Sequence, residues 1–179
     1  MAAEPEVAEA GDDEAVVAEE EVAEDGVAED GVAEPKTVFR VMDVLSVAVD
    51  LPDQYPVVSL QEAEPPLREL SFRIGMPEGV ALGYALRGLA TPRPLTHDLF
   101  STVLQRLGAD VVAVRLTGRQ GATYSAELDL MSMRGREVVP CRPSDGIILA
   151  LRQPVAAPIL ADQRLLDRTG DVAPEPPGS

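Results

Sequence analysis

The order in which hydrophobic periods follow one another constrains this 179-residue chain more than any other feature. From Phe39 to Val49 the residues alternate, with Phe39, Val41, Leu45, Val47 and Val49 on one face, the pattern of a strand. After the turn-like Leu51-Pro52-Asp53-Gln54, the segment Pro56-Val57-Val58-Ser59-Leu60 reads as the return arm of a hairpin. Leu70, Phe72 and Ile74 then alternate with Glu69, Ser71 and Arg73, a third, half-buried strand. At Met76-Pro77-Glu78 the period lengthens. Pro77 suits a first helical turn, and Leu82, Ala85, Leu86 and Leu89 follow at helical spacing. Pro92 and Pro94 end that helix, and Thr96 is placed to cap a second. The second helix has an apolar stripe of Leu99, Phe100, Val103, Leu104 and Leu107 and stops at Gly108.

Alternation then returns. It is carried by Val112, Val114 and Leu116, by Tyr124, Ala126, Leu128 and Leu130, and by Glu137-Val138-Val139, with turns at Gly118–Gly121 and Arg134-Gly135. A third helix is predicted from Asp145 to Arg152, capped by Ser144 and apolar all round, hence buried. A short strand at Pro158-Ile159-Leu160 and a last helix from Asp162 to Arg168 complete the pattern. Strands in threes joined by tight turns pair antiparallel, and the helices come in clusters rather than after each strand. The fold class is therefore α+β, with an antiparallel or mixed sheet in a single domain.

Charge sets the domain's limits. Residues 1–36 hold 14 acidic residues and one base, Lys36, while residues 37–179 hold 17 acidic residues and 14 bases, all Arg. The first segment thus carries −13 of the net −16 and repeats Val-Ala-Glu without an aromatic residue. Such a segment buries too little apolar surface to offset the entropy of ordering it, so 1–36 is expected to be a disordered acidic tail. It serves either as a solubilising arm or as a mimic of nucleic acid. Residues 37–170 form the domain, and 171–179 a second disordered tail. The chain has no signal-like N-terminus, no run long enough for a membrane helix and a single cysteine, Cys141, which together suggest a cytoplasmic protein without a membrane partner.

Two segments carry the chemistry: Arg93-Pro94-Leu95-Thr96-His97-Asp98-Leu99 and Arg142-Pro143-Ser144-Asp145-Gly146. Each places an Arg, a Pro, a hydroxyl residue and an Asp at a helix start. There the hydroxyl satisfies free N–H groups and the carboxylate meets the helix dipole. That account is purely structural. The functional account brings His97, Asp98 and Asp145 together with Glu78, since carboxylates beside a His hold Mg²⁺ or Mn²⁺ and set water against a phosphodiester. Asp98 and Asp145 are then metal ligands or catalytic carboxylates, Glu78 a further ligand, and His97 the general acid or base or itself a ligand. Arg93 and Arg142, with Thr96 and Ser144, contact the substrate. A nucleophilic thiol at Cys141 beside His97 is a minor alternative to a small buried residue.

At these segments the sequence resembles the bifunctional nuclease domain family. The shared motifs are Arg-Pro-x-Thr-His-Asp-Leu at 93–99, and Arg-Pro-Ser-Asp followed by an aliphatic helix ending in Leu151-Arg152. Ile74-Gly75 and Glu78-Gly79-Val80-Ala81-Leu82 match a third motif upstream. Gly79 and Gly146 stand where the family has Ala, which is expected to loosen two helix starts by under roughly 1 kcal/mol each. The resemblance covers about 130 residues and implies an α+β fold, a tendency to form homo-oligomers and nuclease activity on RNA and DNA, reported for some members. Nucleic acid as a partner follows from the resemblance and not from charge, because the domain itself is slightly acidic. The leading expectation is a metal-assisted nuclease. The alternative is a non-catalytic module that binds a protein partner or a small ligand.

Overall fold

The structure, a computed structural model, describes residues 37–49, 52 and 54–167. The expected tails at 1–36 and 171–179 lie outside the described residues, as do parts of the first turn. The elements follow the predicted order: β1 (Phe39–Ala48), β2 (Val57–Glu62), β3 (Glu69–Arg73), α1 (Met76–Leu86), α2 (Thr96–Arg106), β4 (Ala109–Gln120), β5 (Thr123–Ser132), β6 (Gly135–Cys141), α3 (Pro143–Leu151), β7 (Ile159–Asp162) and α4 (Gln163–Asp167). All seven strands form one sheet in the order β3-β2-β1-β7-β4-β5-β6. Two antiparallel meanders, β1-β2-β3 and β4-β5-β6, are thus joined by β7, which runs antiparallel to β1 and parallel to β4. The sheet is mixed and the fold is α+β.

The sheet is strongly curled. The rings of Phe72 on β3 and Tyr124 on β5 lie 5.5 Å apart although these strands stand near opposite ends of the order. Inside the curl Val58, Leu60, Leu70, Val114, Leu116 and Leu128 pack under α1 and α3. The apolar run Ile147–Ala150 of α3 is buried as its composition requires. β3 buries Leu70 and Phe72 and exposes Glu69, Ser71 and Arg73, as the alternation predicts.

Two apolar faces differ from the sequence reading. On β1 the inward residues are Met42, Val44 and Val47, whereas Val41, Leu45 and Val49 are exposed. Leu45 is the extra residue of a bulge, since Val44 pairs with Leu60 and Ser46 with Ser59. A bulge shifts the inward face by one residue, so no single parity describes the strand. On α2 only Leu104 and Ser101 are buried, while Leu99, Phe100, Val103 and Leu107 stand exposed. The helix touches α3 and β4 along a narrow line, too narrow to cover the stripe. Gly108 (φ 66°) ends α2 as expected, in a conformation that favours glycine.

At one end of the curl the fully buried Glu62 carboxylate is ringed by donors. Arg40 Nε donates to Oε1 (2.8 Å), Arg68 Nη2 to Oε1 (2.8 Å), Arg68 Nε to Oε2 (3.0 Å) and the Arg68 backbone N–H to Oε2 (2.8 Å). Arg68 also pairs with Asp167 on α4, so one acid ties β1, β2, the β2–β3 loop and α4.

The two glycines in Ala positions have a packing reason. A Cβ at Gly146 would overlap Val114 Cγ2 and sit 3.1 Å from Cys141 Sγ, and one at Gly79 would lie 2.6 Å from Pro56 Cγ. Val114 is buried and β-branched, so it cannot swing aside. Gly146→Ala is therefore expected to destabilise the domain by about 1–3 kcal/mol, despite a helix-propensity gain of about 1 kcal/mol. Adding Val114→Ala should recover part of that loss in urea unfolding.

Candidate functional site

The N-terminal turns of α1, α2 and α3 meet on the concave side. α1 and α3 each begin with a Pro in the first turn, after Gly75 and Arg142 respectively. Asp145 occupies the first turn of α3. One of its oxygens, Oδ1, takes hydrogen bonds from His97 Nε2 (3.0 Å) and Arg142 Nη2 (2.9 Å), and Oδ2 takes one from Arg142 Nε (2.7 Å). The same Arg142 Nη2 lies 2.9 Å from Glu78 Oε1 on α1. Two segments some fifty residues apart in the chain thus meet as a connected network, Glu78–Arg142–Asp145–His97.

Burial alone would raise the Asp145 carboxyl. The hydrogen bonds from Arg142 and His97 outweigh it and hold the group below its ordinary value. The Asp145 hydrogen bond and charge in turn raise Arg142 and fix its positive charge. Arg142 keeps 65% of its side chain exposed, so a guanidinium bound on one side to two carboxylates still faces solvent. In the neutral imidazole, donation from Nε2 to the carboxylate leaves Nδ1 as the acceptor nitrogen of His97.

The network lines one wall of a cavity of 740 Å³ between α1, α2, α3 and the β5–β6 edge. Leu95, Phe100, Leu128, Val139 and Leu149 make much of the rest apolar, and Thr96 stands on its rim. Thr96 does not cap α2; the first helical residue follows Leu95. Ser144 is likewise no cap. It is buried in the first turn of α3 and faces a second cavity. Arg93 is exposed in the loop before α2 and does not line the first cavity.

Asp98 is not part of the network. Its Oδ2 accepts the Leu95 N–H (2.9 Å), and its Oδ1 lies 2.9 Å from Arg152 Nε at the end of α3, an ion pair off the N–H direction. Arg152 Nη1 donates to the Leu89 carbonyl (3.0 Å). Asp98 therefore closes the start of α2 and ties it to α3. Asp98→Ala is expected to cost about 1–2 kcal/mol of stability in chemical unfolding, through a lost cap and a half-buried unpaired guanidinium.

Among the described residues no three His, Cys, Asp or Glu side chains gather to share a cation. The ion lying between Glu78 and Asp145 is the guanidinium of Arg142. The expected Mg²⁺ or Mn²⁺ ligand set of Asp98, Asp145 and Glu78 does not fit this arrangement. Cys141 also lines the cavity, but burial and the nearby Asp145 charge push its thiol up to about 11, which leaves it protonated at neutral pH. The sequence shows Gly75 within a motif but assigns it no role. A Cβ there would collide with Glu78 Oε2, so its lack of a side chain lets that carboxylate fold back toward Arg142. Its place in the Ile74-Gly75 motif was the available signal.

The curled mixed sheet and the ion-paired helix starts define a class of α+β domain built around a His–Asp–Arg cleft. A family model for the bifunctional nuclease domain matches residues 58–173, and the chain belongs to that family. It is also 36% identical over 132 residues to an uncharacterized protein of Mycobacterium tuberculosis strain CDC 1551 / Oshkosh, covering 74% of this chain and 77% of the relative. An uncharacterized protein of strain ATCC 25618 / H37Rv matches with the same identity and coverage. No described helix is long and apolar enough to cross a membrane.

Proposed function

We propose that this protein hydrolyses phosphodiester bonds in RNA or DNA, with His97 as the base and Asp145 as its positioning partner. The observation that carries this is the 3.0 Å His97–Asp145 bond on the wall of an open cavity, beside a solvent-facing guanidinium. Family membership points the same way.

Asp145 fixes the His97 proton on Nε2, which leaves Nδ1 to take a proton from an attacking water. The water oxygen bonds to phosphorus, the opposite P–O bond breaks, and the leaving oxygen is protonated by solvent. Arg142 meets the charge that gathers on the non-bridging oxygens. No step passes through a metal, because the donor set does not fit one.

The test is cleavage of single-stranded RNA and DNA by highly purified protein, with Mg²⁺, with Mn²⁺ and with chelator. The expected result is cleavage that survives chelator and is lost in Asp145→Asn. An absolute metal requirement would overturn this mechanism, and equal activity in Asp145→Asn would remove the site. A non-catalytic module is the second reading, favoured by one observation: Glu78, Asp98 and Asp145 all already have partners within the protein. It predicts no cleavage in any of these conditions.

A further inference from the structure

We propose that the ridge formed by the first turns of α1 and α3 seats one phosphate of an unpaired strand, with consecutive bases entering the cavities on either side. This rests on the phosphodiesterase reading and adds its substrate class. The second cavity, of 450 Å³, is lined by Tyr55, Phe72, Thr123, Tyr124 and Ser144. Ile74 and Gly75 face it, while Pro77 and Glu78 face the larger cavity. Pro143 and Ser144 belong to the smaller, Asp145 and Leu149 to the larger, and Arg142 to both. The divider between them is therefore the Glu78–Arg142–Asp145 ion pair itself.

Each cavity also carries one exposed ring, Phe100 in the larger and Tyr55 in the smaller. A flat ring on a mostly apolar wall suits a nucleobase, since every base offers a π-face for stacking. Both helices start at the ridge, so their positive dipole ends add to Arg142 in favouring an anion there. A duplex cannot use this layout, because its bases are stacked inward and would have to splay apart. Glu78 and Asp145 together outnumber the Arg142 charge, so only the helix ends and the solvent-facing part of the guanidinium draw an anion; the ridge takes at most one phosphate contact, and stacking supplies most of the affinity. The dependence on salt is then shallow, with a log–log slope of about −0.7 for one phosphate on a single strand.

The experiment measures fluorescence anisotropy of the full-length protein with a six-nucleotide single strand, phosphorothioate-linked against cleavage, and with the same sequence as a duplex. The single strand is expected to bind at least about 10-fold more tightly than the duplex. Tyr55→Leu and Phe100→Leu, which keep apolar bulk but remove the ring, should each weaken binding about 5-fold or more. Equal duplex binding, indifference to both rings, or a salt slope steeper than about −2 would overturn the proposal. Hydrolysis of bis(p-nitrophenyl) phosphate, which has no base, reports separately on the phosphodiesterase reading. If that ester is cleaved while the oligonucleotide results fail, the strand-seating idea falls and the catalytic reading stands. If the oligonucleotide results hold and neither the ester nor unmodified strands are cleaved, the catalytic reading falls instead.

Discussion

His97→Ala is expected to slow cleavage of single-stranded RNA by about 10²- to 10⁴-fold, the range for loss of one positioned acid–base group. Asp145→Asn should fall in the same range for a different reason. An amide can present its NH₂ to Nε2 and so favour the wrong His97 tautomer, and it weakens the two-pronged grip on Arg142. The loss should appear in kcat, because neither group is needed to hold a base. Both variants are to be compared by circular dichroism and urea unfolding, since Asp145 links α2 to α3. Asp98→Ala is the control: it weakens the same helix pair without touching the His97–Asp145 bond. If the two active-site variants lose no more activity than Asp98→Ala does, the His–Asp pair is a strut and not a catalyst.

Glu62→Gln is expected to be the most damaging isosteric change in the sheet and to remove a distinct part of the acid sensitivity. Hydrogen bonds from Arg68 outweigh the cost of burial and lower the Glu62 carboxyl from 4.5 to about 2. The unfolded chain therefore takes up a proton at higher pH than the folded one does. The stabilisation is complete above about pH 4.5 and is lost as pH falls toward 2. A shift of this size corresponds to roughly 2–3 kcal/mol, after discounting for the solvent-screened outer parts of Arg40 and Arg68. Urea unfolding at pH 7 should show that loss in the variant, and the gap between variant and wild type should close by about pH 2. A gap that is constant with pH would mean that the carboxylate charge is not what holds the ring of donors.

Much of the layout was legible because it is local. β3 needs only strict alternation, and the buried run of α3 needs only its lack of polar residues. What failed was set by distant partners. The expected β1 face is already outward at Val41, and the bulge at Leu45 that moves the inward face from Met42 and Val44 to Val47 is visible only in the pairing with β2. The apolar stripe of α2 stays largely exposed because burial needs a neighbour, and α2 has one along only a single line. Glu62 gave no signal, since a lone acid in a strand says nothing of the two Arg residues that meet it.

The candidate site divides in the same way. The two motifs name His97, Asp145 and Arg142, the upstream motif adds Glu78, and the structure brings those four together. Asp98 is adjacent to His97 in the sequence, but its carboxylate turns back to the Leu95 N–H and to Arg152, partners that adjacency does not reveal. The expectation that Thr96 and Ser144 cap their helices overlooked that the residue before each, Leu95 and Pro143 respectively, differs in role: Leu95 is itself the cap position, whereas Pro143 already opens α3.

The strand that unites the two meanders follows both of them in the sequence. Ile159–Asp162 must find Phe39, some 120 positions earlier, before either half has its inner neighbour. During synthesis each hairpin set can therefore emerge and pair by itself, but its inner edge stays unpaired until β7 has been made. A stop codon before residue 159 would thus leave the two halves of the sheet without the strand they share, rather than a shortened domain.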